Sequence, residues 1–168
     1  DWSIPEIEYL KANNWIWTEK VDGTNIRISF TPLLVSPWDI EIQGRTKDAQ
    51  TPNFLLDKLK EMFPSKRLHA AFPDMKMDVT LYGEGYGPKI QKGGGKYRSD
   101  VSFVLFDVKI GSWWLKRPDI EDVASKLGID VVPIVGTGTL HQAINYIKSG
   151  TMKSQWGNFL AEGIVARP

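Results

Sequence analysis

The sequence predicts an α+β fold in which antiparallel β-sheets are flanked by helices. Strand patterns outnumber helix patterns, the strands are short apolar or alternating runs bounded by Gly, Pro, Asn and Asp, and the helices are scattered among consecutive strands. A chain of 168 residues, 42% hydrophobic and 24% charged, can bury one good-sized core. We therefore expect one domain.

The strands are expected where apolar or alternating runs end at turn-forming residues. These runs lie near residues 14–19, 25–30, 40–45, 79–84, 101–109, 131–135 and 162–166. In the run 103–108, strict alternation predicts two faces. One face would carry Val104, Phe106 and Val108, and the other would carry Phe103, Leu105 and Asp107.

Two helices are expected in the first three quarters of the chain. Residues 53–63 place their apolar side chains on one face, namely Leu55, Leu59 and Met62. Residues 117–128 have Pro118 at the helix start, acids in the first turn and Gly128 just past the end.

A third helix is expected in the segment 137–150. Either Thr137 or Thr139 would be its N-cap, and Gly150 would stop it. Its buried stripe is predicted to consist of Leu140, Ile144 and Ile147.

Composition narrows the classes of protein. The sequence has no cysteine, which excludes disulfides and thiolate zinc sites. With 21 basic and 20 acidic residues the net charge is +1, so any nucleic-acid contact must come from a local patch. No apolar run is long enough to cross a bilayer and no N-terminal signal segment is present, so we expect a cytoplasmic protein without membrane contact.

The stretch "TEKVDGTN", residues 18–25, contains a lysine just before a turn. In one interpretation Asp22 and Gly23 form an ordinary hairpin turn, and Lys20 is merely polar. In the other, Lys20 is a nucleophile, because a lysine amine attacks once burial or a nearby cation favours its neutral form. Motifs further along the chain decide between the two.

Four motifs follow: "GRTK" at 44–47, "LYGEGYGPKIQKGGGKY" at 81–97, "FVLFDV" at 103–108 and "AEGIVAR" at 161–167. This series resembles that of the covalent nucleotidyltransferases, which include ATP-dependent ligases and mRNA capping enzymes. Asn25 and "GPKIQKG" resemble the nick-sealing RNA ligases of phage and RNA-editing systems, whereas DNA ligases and capping enzymes usually have arginine at the position of Asn25. One K-x-D-G alone is weak evidence, but five motifs in order are strong.

The resemblance implies an ATP-dependent RNA ligase that uses Mg²⁺ or Mn²⁺. Lys20 would attack the α-phosphate of ATP to form lysyl-AMP, AMP would pass to a 5′-phosphate, and a 3′-hydroxyl would then be joined. Two carboxylates that converge on a triphosphate serve as metal ligands or as acceptors for ribose hydroxyls. By resemblance, Glu84 binds the ribose and Glu162 binds the metal.

Further nucleotide contacts are implied in the same way. Phe106 directly precedes the aspartate of its motif and would stack on adenine, while Phe103 is expected in the core. Arg45 would contact the sugar or a phosphate. The remaining candidates are the backbone of Glu19 at the adenine edge, the turn residues Asp22 and Gly23, and Asn25 at a phosphate or a metal-bound water.

The glycine run at 93–95 is expected to form a flexible lid. Basic residues flank it and would contact pyrophosphate or a nucleic-acid backbone, or simply be solvated: Lys89, Lys92, Lys96 and Arg98. The tryptophans Trp15, Trp17, Trp113 and Trp114 lie in or beside strand patterns and are expected in the core or at sheet edges.

The family's final K-x-K motif is missing, because the sequence stops at Pro168. We therefore expect residues 1–168 to be an adenylyltransferase domain that lacks this motif, acts as a monomer on RNA or nicked nucleic acid, and adenylylates slowly. The alternatives are a DNA ligase or a GTP-using capping enzyme of the same superfamily, and a non-catalytic nucleotide-binding module.

Overall fold

The structure is a computed structural model that describes residues 4–33, 38–46 and 48–168. In chain order its elements are α1 (Pro5–Leu10), β1 (Trp15–Lys20), β2 (Thr24–Thr31), β3 (Asp39–Gln43), α2 (Asn53–Met62), α3 (Ser65–Ala71), β4 (Val79–Tyr86), a 3₁₀ helix (Gly94–Lys96), β5 (Ser102–Ile110), β6 (Trp113–Trp114), α4 (Arg117–Leu127), β7 (Asp130–Val131), β8 (Ile134–Gly138), α5 (Leu140–Lys148) and β9 (Gly163–Arg167). This is the predicted α+β class, with antiparallel sheets and flanking helices.

The chain divides into two structural units. The first unit comprises the described residues of Asp1–Val21 and Val132–Pro168, and the second comprises those of Asp22–Val131. Each has its own sheet and its own apolar cluster. The assignment of residues 1–168 to one adenylyltransferase domain stays a prediction.

The first unit is built on a three-stranded antiparallel sheet in the order β8-β1-β9. Trp15 and Trp17 on β1 are each 7% exposed and form an apolar cluster with Ala143 of α5. Trp15 also donates its indole N–H to the carbonyl oxygen of Leu10, over 2.8 Å. Gly136 lies opposite Trp17, where an added Cβ would come within 2.7 Å of the indole, so a side chain at this position would displace the ring.

Helix α5 begins where the sequence predicted, but it buries a different stripe. Thr139 is the N-cap and forms a capping box with Gln142. Its hydroxyl accepts from the backbone N–H of Gln142, and its own backbone N–H donates to Oε1 of the Gln142 side chain. The predicted burial of Ile144 and Ile147 is wrong, because they are 37% and 42% exposed. The smaller Ala143 is buried against the two tryptophans instead, and Leu140 of the predicted stripe packs against the same cluster.

The second unit is built on a sheet in the order β3-β2-β4-β5-β6, with β7 added parallel to β5. One face of this sheet packs against helices α2, α3 and α4 around a large apolar cluster. Leu55 and Leu59 are fully buried on α2, and Met62 packs against the same cluster, as the sequence predicted. Helix α4 ends at Gly128 with φ of 66°, the left-handed conformation that glycine adopts readily.

The predicted alternation along β5 is wrong beyond its middle. Leu105 pairs with Gly83 and Asp107 pairs with Tyr82, so Phe106 is an extra, unpaired residue, a β-bulge. After the bulge the faces exchange: Val108 lies in the core with Phe103 and Leu105, instead of beside Val104. A bulge of this kind cannot be seen in a hydrophobicity pattern, since it depends on the partner strand.

Other boundaries differ from the predictions as well. The single strand expected at 131–135 is two strands, β7 and β8, separated at Val132 and Pro133. The predictions missed β6, α1 and α3. Helix α3 is short and has no side-chain cap, so its stability comes from tertiary packing of Leu68 and Ala71 into the core. Over the described ranges, no helix is long and apolar enough to cross a membrane.

Candidate functional site

Lys20 and Glu162 are brought together in the first unit. Lys20 is the last residue of β1 and pairs with Gly163, the first residue of β9, so Glu162 directly precedes its cross-strand partner. The ammonium Nζ donates to Glu162 Oε1 over 3.1 Å. The two side chains are 55% and 36% exposed, so both can be reached by a ligand. Sequence reasoning selected both residues, and the register of β1 and β9 makes them neighbours.

Glu19, beside Lys20, has a structural role that the sequence did not indicate. It is only 1% exposed, and its Oε2 accepts from the backbone N–H of Gln155 over 2.8 Å. Its own backbone N–H donates to the carbonyl of Pro133 over 3.0 Å. Among the described residues its Oε1 has no hydrogen-bond partner. The side chain therefore ties the end of β1 to the segment that leads toward Glu162.

The turn residues Asp22 and Gly23 belong to the second unit and are held by the glycine-rich loop. The backbone N–H of Asp22 donates to the Tyr97 hydroxyl over 3.1 Å, and Gln91 Nε2 donates to the carbonyl of Gly23 over 3.1 Å. Sequence reasoning did not single out Gln91 or Tyr97, although both lie in the motif at 81–97 that it quoted. Both hydrogen bonds hold the backbone of the turn, and neither involves the side chain of Asp22.

Gly23, Asn25 and Glu84 lie together. Strands β2 and β4 pair Asn25 directly with Glu84, which places the two side chains on the same face of the sheet. A Cβ added at Gly23 would come within 2.2 Å of the Gly85 carbonyl oxygen and 2.9 Å of the Glu84 side chain. Gly23 is therefore required by a close approach of two backbones, which is a tertiary reason beyond the turn itself.

Arg45 lies just beyond the end of β3, although the predicted strand included it. Its side chain is exposed, and its backbone carbonyl accepts from Arg27 Nη2 over 3.3 Å, as does that of Gly44. Arg27 thus anchors the segment that carries Arg45, a role that the sequence did not reveal. Lys47 of the same motif lies outside the described residues.

Phe106 and Phe103 have different environments. Phe103 is fully buried and meets Phe63 edge-on, with ring centroids 5.5 Å apart, so its expected core position is confirmed. Phe106, at the bulge, is half-buried and is not part of the apolar cluster defined over the described residues. A half-buried ring outside the core can present a face to a flat ligand.

The basic residues around the glycine run do not form one uniform patch. Residues 94–96 form a 3₁₀ turn, and Gly94 approaches Gly87 too closely to admit a side chain. Arg98 is engaged: it donates to Asp100 over 2.9 Å and lies 5.8 Å from the ring centre of Tyr86. The Arg98 guanidinium holds the pKa of the Asp100 carboxyl below its usual value of 3.8. The contacts of Arg98 with Asp100 and Tyr86 therefore indicate a structural role for its guanidinium.

A divalent metal would need ligands from its substrate here. Within the described ranges, no group of three or more His, Asp or Glu side chains is arranged to hold a metal ion. Mg²⁺ is often bound by one or two carboxylates together with substrate phosphates and water. One exposed carboxylate such as Glu162 fits that mode and does not fit an all-protein cage.

Comparison with known proteins finds an RNA ligase family and solved RNA ligase structures with the same fold. The family model for RNA ligase matches residues 13–168. Three solved structures of the Naegleria gruberi RNA ligase illustrate the similarity: a variant with ATP and Mn (TM-score 0.73, 21% identity), a complex with PPi (0.73, 20%) and a variant with AMP and Mn (0.71, 19%). Each match covers 98% of this chain and 48%, 49% and 49%, respectively, of the other.

The fold is thus that of the solved RNA ligases. Since the family model spans nearly the whole chain, the chain belongs to the RNA ligase family. It spans about half of the length of the solved ligases that it resembles. No curated protein matches it significantly in sequence.

Proposed function

We propose that this chain is the adenylyltransferase part of an ATP-dependent RNA ligase, with Lys20 as its nucleophile. The observation that carries the proposal is the pairing of β1 with β9, which sets an accessible lysine amine 3.1 Å from the carboxylate of Glu162 in a chain of the RNA ligase family. An exposed ion pair of this kind contributes little to stability, so a structural role accounts poorly for it.

In the first step, Lys20 Nζ would attack the α-phosphorus of ATP. A P–N bond forms, the bond between the α-phosphorus and the bridging oxygen breaks, pyrophosphate leaves with the electron pair, and the amine proton is lost to solvent. A divalent cation held by Glu162 would offset the charge of the phosphates. AMP would then pass to an RNA 5′-phosphate, and attack by a 3′-hydroxyl would join the strands and release AMP.

The other predicted residues are proposed to bind the nucleotide. Glu84 would accept from the ribose hydroxyls, and its pairing with Asn25 supports a shared polar site on that sheet face. Phe106 would stack on adenine, which fits its half-buried position outside the core. Arg45 would contact the sugar or a phosphate, and its exposed side chain leaves it available. The backbone of Glu19 would read the adenine edge.

Labelling with α-labelled ATP and Mg²⁺ or Mn²⁺ tests the proposal. Lys20 should carry AMP through an acid-labile P–N bond, and mass spectrometry should find AMP on the peptide that contains it. Lys20→Ala should abolish the label. Lys11→Ala is a matched control, since Lys11 also forms an exposed ion pair, with Glu8 in α1, and should leave labelling unchanged.

The same assay separates the alternatives. Labelling by α-labelled GTP instead of ATP would favour a capping enzyme, and no labelling by either nucleotide would favour a non-catalytic binding module. A nicked duplex with RNA at the 3′-hydroxyl should be preferred over an all-DNA nick, and the reverse preference would favour a DNA ligase. AMP on another lysine, with Lys20→Ala still labelled, would contradict the assignment of the nucleophile.

We further propose that the protein acts as a monomer in the cytoplasm. The absence of cysteine fits a reducing compartment such as the cytoplasm. Sedimentation of the purified protein should give the monomer mass, and a dimer mass would contradict it. Fractionation of the source cells should recover the protein with the cytoplasm, and recovery with membranes would contradict that part.

A further inference from the structure

An exposed aromatic and basic cluster lies at the edge of the larger sheet. Strand β6 is the edge strand, and its residues Trp113 and Trp114 are 72% and 49% exposed. The ring of Trp114 lies 5.0 Å from that of Tyr82 on β4, and Lys109 Nζ lies 5.3 Å from the centre of the Trp114 ring. We call Tyr82, Lys109 and Trp114 the edge cluster.

The edge cluster is on the same face of the second unit's sheet as the candidate nucleotide residues. Cross-strand pairs share a face, and Lys109 pairs with Trp114 while Asn25 pairs with Glu84. Both pairs lie on the face opposite the helices, since Phe103 and Val108 of β5 fill the core side. The cluster lies a few residues along the strands from Glu84, on the order of 10–20 Å at about 3.4 Å per residue.

Trp113 occupies the other face. It pairs with Ile110, which packs against the core, and successive residues of a strand point to opposite sides. The two tryptophans are joined to β5 by the tight turn at Gly111 and Ser112, where Gly111 has φ of 58°. The hairpin therefore presents two exposed indole rings of similar chemistry, of which only one faces the same side as the nucleotide residues.

We propose that the edge cluster binds the RNA strand, with an unstacked base against Trp114 and a backbone phosphate at Lys109. The inference rests on the proposed function, since it names the surface on which the ligase would hold its polynucleotide substrate. An exposed aromatic ring beside a cation combines the two interactions by which proteins hold single-stranded nucleic acid: base stacking and phosphate attraction. The even overall charge makes such a local site necessary, because a general positive coat is absent.

Leaving Trp114 exposed has no benefit for folding by itself. Half of a large apolar ring remains in water on an edge strand, which is a liability for association with other chains. The Lys109 ammonium next to the ring keeps this edge from being purely apolar and has charge opposite to that of a phosphate. Charge complementarity thus favours RNA over a protein partner as the occupant.

The test compares the full chain with single variants in their binding to a short, fluorescently labelled single-stranded RNA. Trp114→Ala should raise the Kd by about 5-fold or more, as base–aromatic stacking of 1–3 kcal/mol implies. Trp113→Ala, on the opposite face of the same strand, should leave the Kd unchanged. Trp114→Phe should restore most of the binding. Equal Kd values for wild type and Trp114→Ala would overturn the proposal, as would equal losses for the two tryptophans.

Lys109→Gln tests the same cluster without removing a ring. Loss of one phosphate contact should weaken RNA binding and reduce the slope of log Kd against log salt by about 0.7. An unchanged slope would overturn the assignment of Lys109 to a phosphate. If Trp114→Ala retains RNA binding but reduces self-association in sedimentation, the cluster is a protein interface and the proposal is wrong.

The proposed function and this inference fail in different assays. Formation of lysyl-AMP from ATP needs no RNA, so Trp114→Ala should label Lys20 as efficiently as wild type. A wild-type chain that forms no lysyl-AMP would refute the proposed function. If wild type is labelled and Trp114→Ala binds RNA with an unchanged Kd, only the proposal for the edge cluster is refuted. Loss of labelling in Trp114→Ala would also count against the cluster, since it would indicate a general structural effect.

Discussion

The two units of the chain stabilise their candidate site residues in different ways. In the second unit nineteen buried described residues form one apolar cluster beneath the sheet, whereas the corresponding cluster in the first unit has three, two of them tryptophans. The candidate nucleotide residues of the second unit lie on the free face of a sheet whose other face is this core. Lys20 instead depends on strand pairing, because β1 is paired on both sides, by β8 and β9.

Substitutions should therefore have different consequences in the two units. In the second unit a residue can be essential for stability or available for recognition according to the side of the sheet on which it lies. In the first unit the apolar cluster is small. We therefore expect its stability to depend more on strand pairing and on the helix cap. Substitutions in both units test that contrast, and those that should change stability or binding most come first.

Exchanging the two phenylalanines of β5 for alanine should separate stability from recognition. Phe103→Ala should lower the free energy of unfolding by about 3–5 kcal/mol, because it opens a cavity in the core. Phe106→Ala should cost less stability but weaken nucleotide binding by about 1–3 kcal/mol, while Phe106→Trp retains much of it. Urea unfolding and equilibrium nucleotide titration measure the two effects. A Phe106→Ala protein that unfolds, beside a folded and nucleotide-deficient Phe103→Ala protein, would reverse the roles.

Gly23→Ala should break the contact between the turn and β4. The new methyl group would overlap the Gly85 carbonyl and the Glu84 side chain, and backbone cannot move away cheaply. Overpacking of this kind costs about 1–3 kcal/mol, and displacement of Glu84 should also lower adenylylation. Gly95→Ala is the control, since a Cβ there would meet no atom within 4 Å. Thermal unfolding and ATP labelling of both variants check the prediction, which equal behaviour would contradict.

Thr139→Ala tests how far the first unit relies on its helix cap. Loss of the capping box of α5 should lower the free energy of unfolding by about 1 kcal/mol. Thr137→Ala, at an exposed position of β8, should change it by less than about 0.5 kcal/mol. Chemical denaturation measures both values. A larger loss for Thr137→Ala would show that the helix starts earlier than in this structure.

Asp100→Asn should have the smallest effect, and that effect should depend on pH. The Arg98 hydrogen bond lowers the pKa of the Asp100 carboxyl in the folded state. The carboxylate therefore stabilises the fold above pH 3.8, the usual pKa of the group, and this stabilisation is lost as the pH falls through the lowered pKa. The stability difference between wild type and variant should therefore be largest near neutral pH and shrink in acid. Asp57→Asn, on the exposed side of α2, is the control. A difference that grows in acid would contradict the sign.

The fold class, most strands and the candidate site residues could be predicted from local sequence. Local patterns sufficed for this: an apolar stripe predicts α2, the start and stop residues Pro118 and Gly128 predict α4, and the resemblance in motif order singles out the candidate site residues without any contact information. For the N-cap of α5 the sequence predicts either Thr137 or Thr139, and in the structure it is Thr139. Each of these features depends on residues that are near one another in the chain.

Features that depend on a partner strand or helix could not be predicted and are seen only in the folded chain. The bulge at Phe106 reverses the faces of β5 because β4 skips that residue, and α5 buries Ala143 because the bulky tryptophans of β1 leave room for a small side chain there. The 3.1 Å contact between Lys20 and Glu162 likewise arises from the register of β1 and β9. Register and packing are long-range properties, since they are set by which residues meet across the sheet, and a local pattern does not contain that information.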